Sequence, residues 1–245
     1  MGEVYADLQL PAGGDDRPYV VLNMVSTVDG KVALGGSAGG IGSRTDRYLM
    51  RRIRSLVDAV MIAAGTLRAE LCDPRVDFPF VQERLVRGLA PQPLAVGVSG
   101  SLNLKPNNRF LLNGRERTVL LTTESAPAER RRRLGPYATI MAQSGQTVDL
   151  EAGLRTLHQQ FGVRRLLSEG GPSLNQQLLD AGLIDEIFWT LAPKVAGGSG
   201  RTLIQGPAPT TQIAARMEII SLYADGSELY ARYRLLRGED GSYLT

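Results

Sequence analysis

The sequence predicts an α/β fold with a mostly parallel central sheet and a C-terminal antiparallel hairpin. Short apolar runs without polar alternation, such as Asp58 to Ala64, recur along the chain, as strands covered on both faces require. Segments of helical period separate these runs, and strand–helix alternation builds a parallel sheet. Near the C-terminus the alternation stops: two strand-like stretches, Ile213 to Tyr223 and Glu228 to Leu236, meet at the turn signal Asp225-Gly226.

In chain order, residues 1–17 read as a loose leader containing Pro11, Gly13 and Gly14, and residues 18–245 as a single domain. Tyr19 to Val25 is the first strand. Asp29-Gly30 turns it, and Lys31 to Leu34 is expected to return as a short strand. Asp29 and Lys31 are then either members of a plain hairpin turn or site residues at a strand end. Five glycines between Gly35 and Gly42 make a loop whose backbone can pack against a flat ligand or simply connect elements. Ser43, with Asp46 three residues on, opens a helix as a capping box; Arg47, Arg51, Arg52 and Arg54 lie along it. Asp58 to Ala64 is the second strand, ending in the strand-to-turn junction Gly65-Thr66-Leu67-Arg68-Ala69-Glu70. Residues 71–80 are loop-like, and Gln82 to Gly88 a short helix. Leu94 to Val98, Thr118 to Thr122 and Thr139 to Ala142 are further strands. Helices are expected at Ser125 to Leu134, which carries the run Arg130 to Arg133, and at Asp149 to Phe161, capped by Asp149. Asp185 to Leu191 is a strand, followed by a glycine-rich loop from Pro193 to Gly200.

The stretch from Leu166 to Leu179 organises the rest. A buried strand ends at Ser168-Glu169, Gly170 and Gly171 turn the chain, Pro172 suits a first helical turn, and Leu174, Leu178 and Leu179 fall at helical spacing. A helix opening on a glycine turn presents unpaired N–H groups and a positive dipole end, a setting that favours phosphate. Ligands of parallel sheets bind beyond the carboxyl ends of the strands. Those ends carry Asp29, Thr66, Ser99 and Glu169, and the convergence of polar residues there marks a candidate site.

Composition excludes other chemistries. Lys plus Arg is 28 against 25 Asp plus Glu, a net charge of +3 that makes no case for a nucleic-acid partner. One Cys (Cys72) and one His (His158) cannot assemble a Cys/His zinc site or an internal disulfide, and the absence of disulfides fits a reducing cytoplasm. His158 is expected on the surface of an amphipathic helix. The first residues do not read as a signal peptide, so none is expected, and no apolar run approaches the roughly 20 residues of a membrane span.

Taken together, the motifs resemble those of the riboflavin-pathway pyrimidine reductases. The matching pieces are Ser26-Thr27-Val28-Asp29-Gly30-Lys31, Arg54 with Asp58-Ala59-Val60, Gly65 to Glu70, Ser168-Glu169-Gly170-Gly171-Pro172-Ser173-Leu174, and Ala192 to Gly198. The resemblance implies a three-layer dihydrofolate reductase-like fold, a homodimer, and NADPH-dependent reduction of the ribosyl group of a 5-amino-6-(5-phosphoribosylamino)pyrimidine to ribityl. It implies a catalytic set of Glu169, Lys31 and Asp29, with Lys31 and Glu169 on the pyrimidine and Arg54 on the substrate's phosphate. The cofactor is expected against Thr66, Glu70, Ser99, Gly170, Gly171, Pro172, Ser173, Leu174 and Asn175, with Gly171 to Gln177 around its phosphates. No metal is implied. Two departures stand out. Glu70 replaces the more usual Asp, and Leu71 to Val76 does not follow the acid-Pro-x-Leu-Thr-x-Arg pattern, which leaves a second phosphate arginine on Arg75 open. Arg130 to Arg133 are either a solvated face or a source of a cation for the cofactor's 2′-phosphate. Bifunctional relatives add a zinc deaminase, which this Cys and His count cannot supply, so a stand-alone reductase is expected. The alternatives are a dihydrofolate reductase-like pterin reductase and a non-catalytic nucleotide-binding protein.

Overall fold

The structure is a computed structural model that describes residues 4–206 and 214–245. The chain divides into two compact units, one of Met1–Gln9, Val20–Met50 and Gly170–Thr245, the other of Leu10–Tyr19 and Arg51–Glu169.

In the second unit, β2 (Ala59–Ala63), β3 (Leu94–Val98), β4 (Thr118–Thr123), β5 (Thr139–Gln143) and β6 (Arg165–Ser168) run parallel in the order β5-β4-β3-β2-β6. Ala59, Val60, Met61, Leu166 and Leu167 are wholly buried. That explains why these strands read as unbroken apolar runs. Close packing shows at Gly97 on β3, where a Cβ would lie 2.6 Å from a Leu120 methyl. The unit's helices are α2 (Ala64–Ala69), α3 (Phe78–Val86), α4 (Ala128–Leu134) and α5 (Leu150–Phe161). Asp149 caps α5 as expected, accepting from the Ala152 N–H at 3.0 Å.

Three expectations are corrected in this unit. The junction after β2 is the short helix α2 and not a plain turn. Helix α3 starts four residues before the expected Gln82, because Pro79 occupies its first turn, where the missing N–H removes no helical bond. His158 is buried, not on the surface: it shares the α5 face of Leu154 and Leu157, and its Nδ1 lies 3.0 Å from the Val163 carbonyl oxygen.

In the first unit, β1 (Tyr19–Ser26) pairs in parallel with β7 (Glu186–Leu191), β7 antiparallel with β9 (Glu228–Leu235), and β9 antiparallel with β8 (Met217–Asp225). The C-terminal hairpin turns between Asp225 and Glu228, with Gly226 at a φ of 61°. Its expected start at Ile213 lies outside the described residues. The sheet is thus mostly parallel with an antiparallel C-terminal end, the dihydrofolate reductase-like class that the resemblance implied. Residues 4–17 form no helix or strand, yet Val4, Tyr5 and Leu8 are buried, and Tyr5 packs edge-on against Phe188 and Tyr223 with ring centroids 5.2 and 5.6 Å apart. Lys31 to Leu34 does not form the expected return strand. Lys31 makes a single bridge to Thr202, and Leu34 one to Ser37, because the glycines that follow lead the chain away before a ladder can form.

Helix α1 (Arg44–Arg54) opens on Ser43, whose hydroxyl accepts from the Thr45 and Asp46 N–H groups. The reciprocal half of the capping box does not form. Glu228 takes the Ser43 N–H at 3.2 Å, and the half-buried Asp46 packs under Gly42, where a Cβ would meet Asp46 Oδ2 at 2.1 Å. Burial, and then the Glu228 carboxylate, push the Asp46 carboxyl up to about 6. A carboxyl raised in the fold binds more protons there than in the unfolded chain, so its contribution to stability falls as pH rises from about 4 to about 6. Asp46→Asn is therefore expected to stabilise the protein above pH 6 by on the order of 2 kcal/mol and to leave it unchanged near pH 4. Urea unfolding at the two pH values checks this; a variant that is destabilised at both would show that Asp46 acts through its hydrogen bonds alone.

Candidate active site

The parallel strands of the second unit end on one edge, and side chains from three of them define its chemistry. Glu169 directly follows β6, and its N–H donates to the Met61 carbonyl on β2 at 3.0 Å. Its carboxylate is gripped by Arg54: Nε to Oε1 at 2.5 Å and Nη2 to Oε2 at 2.7 Å. The Arg54 and Glu169 side chains are only 7% and 10% exposed, so solvent screens this bidentate pair little. Burial pulls the guanidinium's pKa down, but the Glu169 charge and hydrogen bonds outweigh it, leaving Arg54 above the usual arginine range. Its remaining Nη1 donates to the Asp73 carbonyl at 2.7 Å and lies 3.5 Å from that of Arg75. Of the five N–H groups of a guanidinium, one on Nη2 is left for a ligand. Next to this pair, burial and the Glu169 charge push the Cys72 thiol up to about 12, so it is not a nucleophile at neutral pH.

The loop after Cys72 folds back on itself. Arg75 donates to Asp73 from Nε at 2.9 Å and Nη2 at 2.6 Å, and Arg109 lies 3.7 Å from the same carboxylate. Thr66 and Glu70 sit on or just beyond α2, with the Glu70 N–H on the Thr66 carbonyl at 2.8 Å. Ser99 ends β3; its hydroxyl accepts from Leu102 N–H at 2.9 Å and holds the loop in which Leu102 adopts a φ of 50°. Arg130 and Arg133 reach back to this loop, to the Ser101 carbonyl at 3.0 Å and the Leu104 carbonyl at 3.2 Å.

In the first unit, Asp29 is exposed but fully engaged. It accepts from the Thr27 hydroxyl at 2.7 Å, Ala196 N–H at 3.0 Å and Gly197 N–H at 2.8 Å. The Ala196 bond, then that of Thr27, holds its carboxyl down at about 2. Asp29 thus tethers the glycine-rich loop after β7 to the turn that carries Lys31, whose own N–H donates to the Thr27 hydroxyl at 2.9 Å. Sequence reasoning missed Lys194, which fastens the same loop to the first glycine loop by donating to the Gly40 and Ile41 carbonyls at 2.6 and 2.8 Å. The signal was its place in the motif piece Ala192 to Gly198, inside the second glycine-rich loop.

Helix α6 (Pro172–Asp180) begins at Gly171, after a cis Gly170–Gly171 bond, with Gly170 at a φ of 78°. The Leu174 and Asn175 N–H groups already donate to the Gly171 carbonyl, and Pro172 has none, so the helix start offers the N–H and hydroxyl of Ser173. Asn175 is wholly buried. Its amide donates to the Leu203 carbonyl at 2.7 Å, whereas its Oδ1 has no partner. An orphaned buried acceptor is costly, and it suits a ligand that brings an N–H or O–H donor.

Among the described residues no group of three or more His, Cys, Asp or Glu could hold a metal ion, and no helix is long and apolar enough to cross a membrane.

The mostly parallel sheet, with its acidic and glycine-turn strand end, is that of a known family of enzyme domains: the chain belongs to the RibD C-terminal domain family, whose model matches residues 18–231. It is 34% identical over 219 residues, 89% of this chain and 98% of the relative, to a 2,5-diamino-6-ribosylamino-4(3H)-pyrimidinone 5′-phosphate reductase of Methanothermobacter thermautotrophicus. A protein of the same name from Archaeoglobus fulgidus is 32% identical over 222 residues, 89% of this chain and 99% of the relative. The fold is similar to that of a pyrimidine reductase-like protein from Corynebacterium diphtheriae, with a TM-score of 0.80 at 20% identity over 91% of this chain and 94% of the other.

Proposed function

We propose that this chain is the NADPH-dependent oxidoreductase of riboflavin biosynthesis that reduces the ribosyl group of a 5-amino-6-(5-phosphoribosylamino)pyrimidine to ribityl. The observation that carries the reading is the buried Glu169–Arg54 pair. It presents a fixed carboxylate beyond the end of a parallel strand, suited to accept from the N–H donors of an aminopyrimidine ring. The names of the relatives with which it shares about a third of its residues support the diamino form of the substrate.

Reduction at a sugar carbon needs an electron donor and good placement more than a strong protein acid or base. A nicotinamide cofactor fits the residues present. The Asn175 Oδ1 lacks the donor that a carboxamide or ribose hydroxyl brings, and the Ser173 N–H at the positive end of α6 suits a phosphate oxygen. Thr66, Glu70, Ser99 and Gly170 to Asn175 are the residues proposed to hold it. When bound, it supplies the two-electron reductant. Lys31 and Glu169 fix the pyrimidine, and the one uncommitted N–H of Arg54 reaches for the substrate's phosphate. Asp29 acts by holding the loop around Lys31. NADPH is preferred over NADH, the preference the family resemblance implies. Residues 18–245 act as one reductase domain, supported by the unbroken family match over 18–231, in a cytoplasmic homodimer.

The test is NADPH oxidation with the diamino and the deaminated phosphoribosylaminopyrimidines and with dihydrofolate side by side. Turnover of the diamino compound is expected. Turnover of dihydrofolate alone would replace the reading with a pterin reductase, and no turnover of any would reduce the chain to a nucleotide binder.

A further inference from the structure

Arg84 on α3 is one of the largest side chains among the described residues to be wholly buried, at 1% exposure, and among them no carboxylate hydrogen-bonds to it, although the Asp58 charge acts on it from a distance. A buried cation is expensive to maintain when packing alone is needed, and an apolar side chain of similar volume fills such a space at less cost. All its hydrogen bonds go to backbone carbonyls. Nε donates to Ala90 at 2.8 Å, and Nη1 donates to both Arg54 at 3.0 Å and Val57 at 2.7 Å. Burial lowers its pKa to about 10, well above neutral pH, so it remains a cation.

One of those carbonyls, that of Arg54, ends α1, and Val57 follows three residues on. Arg54 is the last residue of that helix, and the final carbonyls of a helix lack intrahelical donors and carry the negative end of its dipole. Arg84 therefore caps α1 from a different helix, with a charge of the favourable sign. The carbonyl it holds belongs to the residue whose side chain grips Glu169. Arg54 is thus fixed at both ends: its backbone by Arg84, its guanidinium by Glu169 and the Asp73 carbonyl. Glu169 is fixed likewise, by its N–H on β2 and its carboxylate on Arg54.

We infer that Arg84 is a positioning residue for the reaction: it sets the Glu169 carboxylate through Arg54. The inference rests on the function proposed above, in which Glu169 meets the substrate. Its requirement for arginine is geometric. A guanidinium donates along two diverging directions at once, towards Ala90 and towards the α1 end, whereas a lysine ammonium on a thinner stem cannot reproduce that fork.

A double-mutant cycle between Arg84→Lys and Glu169→Gln tests this in the full-length protein, read by kcat and KM for the phosphoribosylaminopyrimidine, by the Kd for NADPH and by Tm. Arg84→Lys is expected to raise the substrate KM by about tenfold or more and to leave the NADPH Kd within about twofold. In the Glu169→Gln background the same change should shift KM by less than about twofold, because the carboxylate it positions is gone. Loss of Tm with unaltered kcat and KM of the folded enzyme overturns the inference and makes Arg84 purely structural. So does a tenfold effect that persists undiminished in the Glu169→Gln background. If Glu169→Gln by itself leaves kcat/KM intact, the functional reading of Glu169 fails instead. Where Arg84→Lys does not fold, Arg84→Gln, whose amide keeps two N–H donors on one nitrogen and carries no charge, is put through the same cycle.

Discussion

Glu169→Gln is expected to lower kcat/KM for the phosphoribosylaminopyrimidine by about a hundredfold while NADPH binds as before, the size of a lost hydrogen bond to a charged group with some misplacement added. The carboxylate accepts only; the amide that replaces it turns one acceptor into a donor, facing either Arg54 or the ring. Both settings are wrong. Towards Arg54, donor meets donor in a bidentate contact now made at 2.5 and 2.7 Å. Towards the ring, the amide N–H confronts the ring donors that the carboxylate is proposed to receive. The substitution also leaves the Arg54 cation buried without its counter-charge, a loss on the order of 3–5 kcal/mol when a buried pair is broken from one side. A fall in Tm must therefore accompany the loss of activity, and kinetics belong at a temperature where the variant is folded. Glu169→Asp separates the two effects. It keeps the charge, so much of the stability should return, but its carboxylate is one methylene short and turnover should stay low. If Glu169→Gln unfolds more easily yet turns over substrate normally at low temperature, Glu169 is a structural anion and the substrate lies elsewhere.

The parts of the fold that the sequence announced are those whose cause is local. Unbroken apolar runs gave β2 and β3 within a residue of their ends, because burial on both faces favours that composition, and the run Thr118 to Thr122, rich in β-branched residues, gave β4 to within one residue. Asp149 was legible as a cap because its partner is three residues away. Much of what escaped is set by partners outside the element that was read. Ser43 and Asp46 read as a capping box, but Glu228, 185 residues from Ser43, takes the N–H that the box would have closed. His158 read as surface although Leu154, four residues back, marks its face as the buried one; the carbonyl of Val163, just beyond the helix end, supplies the partner that lets the ring stay inside. At the site, Glu169, Arg54 and the glycine turn were legible as candidates. That Arg54 spends most of its donors on Glu169 and Asp73 was not, since 115 residues separate the members of the ion pair. Arg84 was invisible for a like reason: in the sequence it is one more arginine of a short helix, and its partners Arg54 and Val57 lie 30 and 27 residues away.

Gly170→Ala is expected to weaken NADPH binding by about tenfold or more and to cost about 1–3 kcal/mol of stability. Gly170 holds a φ of 78°, where a side chain is strained whatever the space around it. The space is also taken: a Cβ would lie 2.9 Å from Met24 Sδ and 3.3 Å from Asn175 Nδ2. The methionine thioether is flexible and can move aside. Asn175 cannot move so easily, because its amide is tied to the Leu203 carbonyl at 2.7 Å within a wholly buried setting. Displacing it moves the orphaned Oδ1 proposed to meet the cofactor, and with it the first turn of α6. Gly162→Ala is the control. Gly162 has a φ of 66° at the C-terminal end of α5 with nothing within 4 Å of a Cβ, so it carries similar backbone strain without the collision. Both variants should lose comparable stability in urea, but only Gly170→Ala should lose cofactor affinity in a fluorescence titration with NADPH. A folded Gly170→Ala protein that binds NADPH as tightly as the parent would remove Asn175 and the start of α6 from the cofactor site.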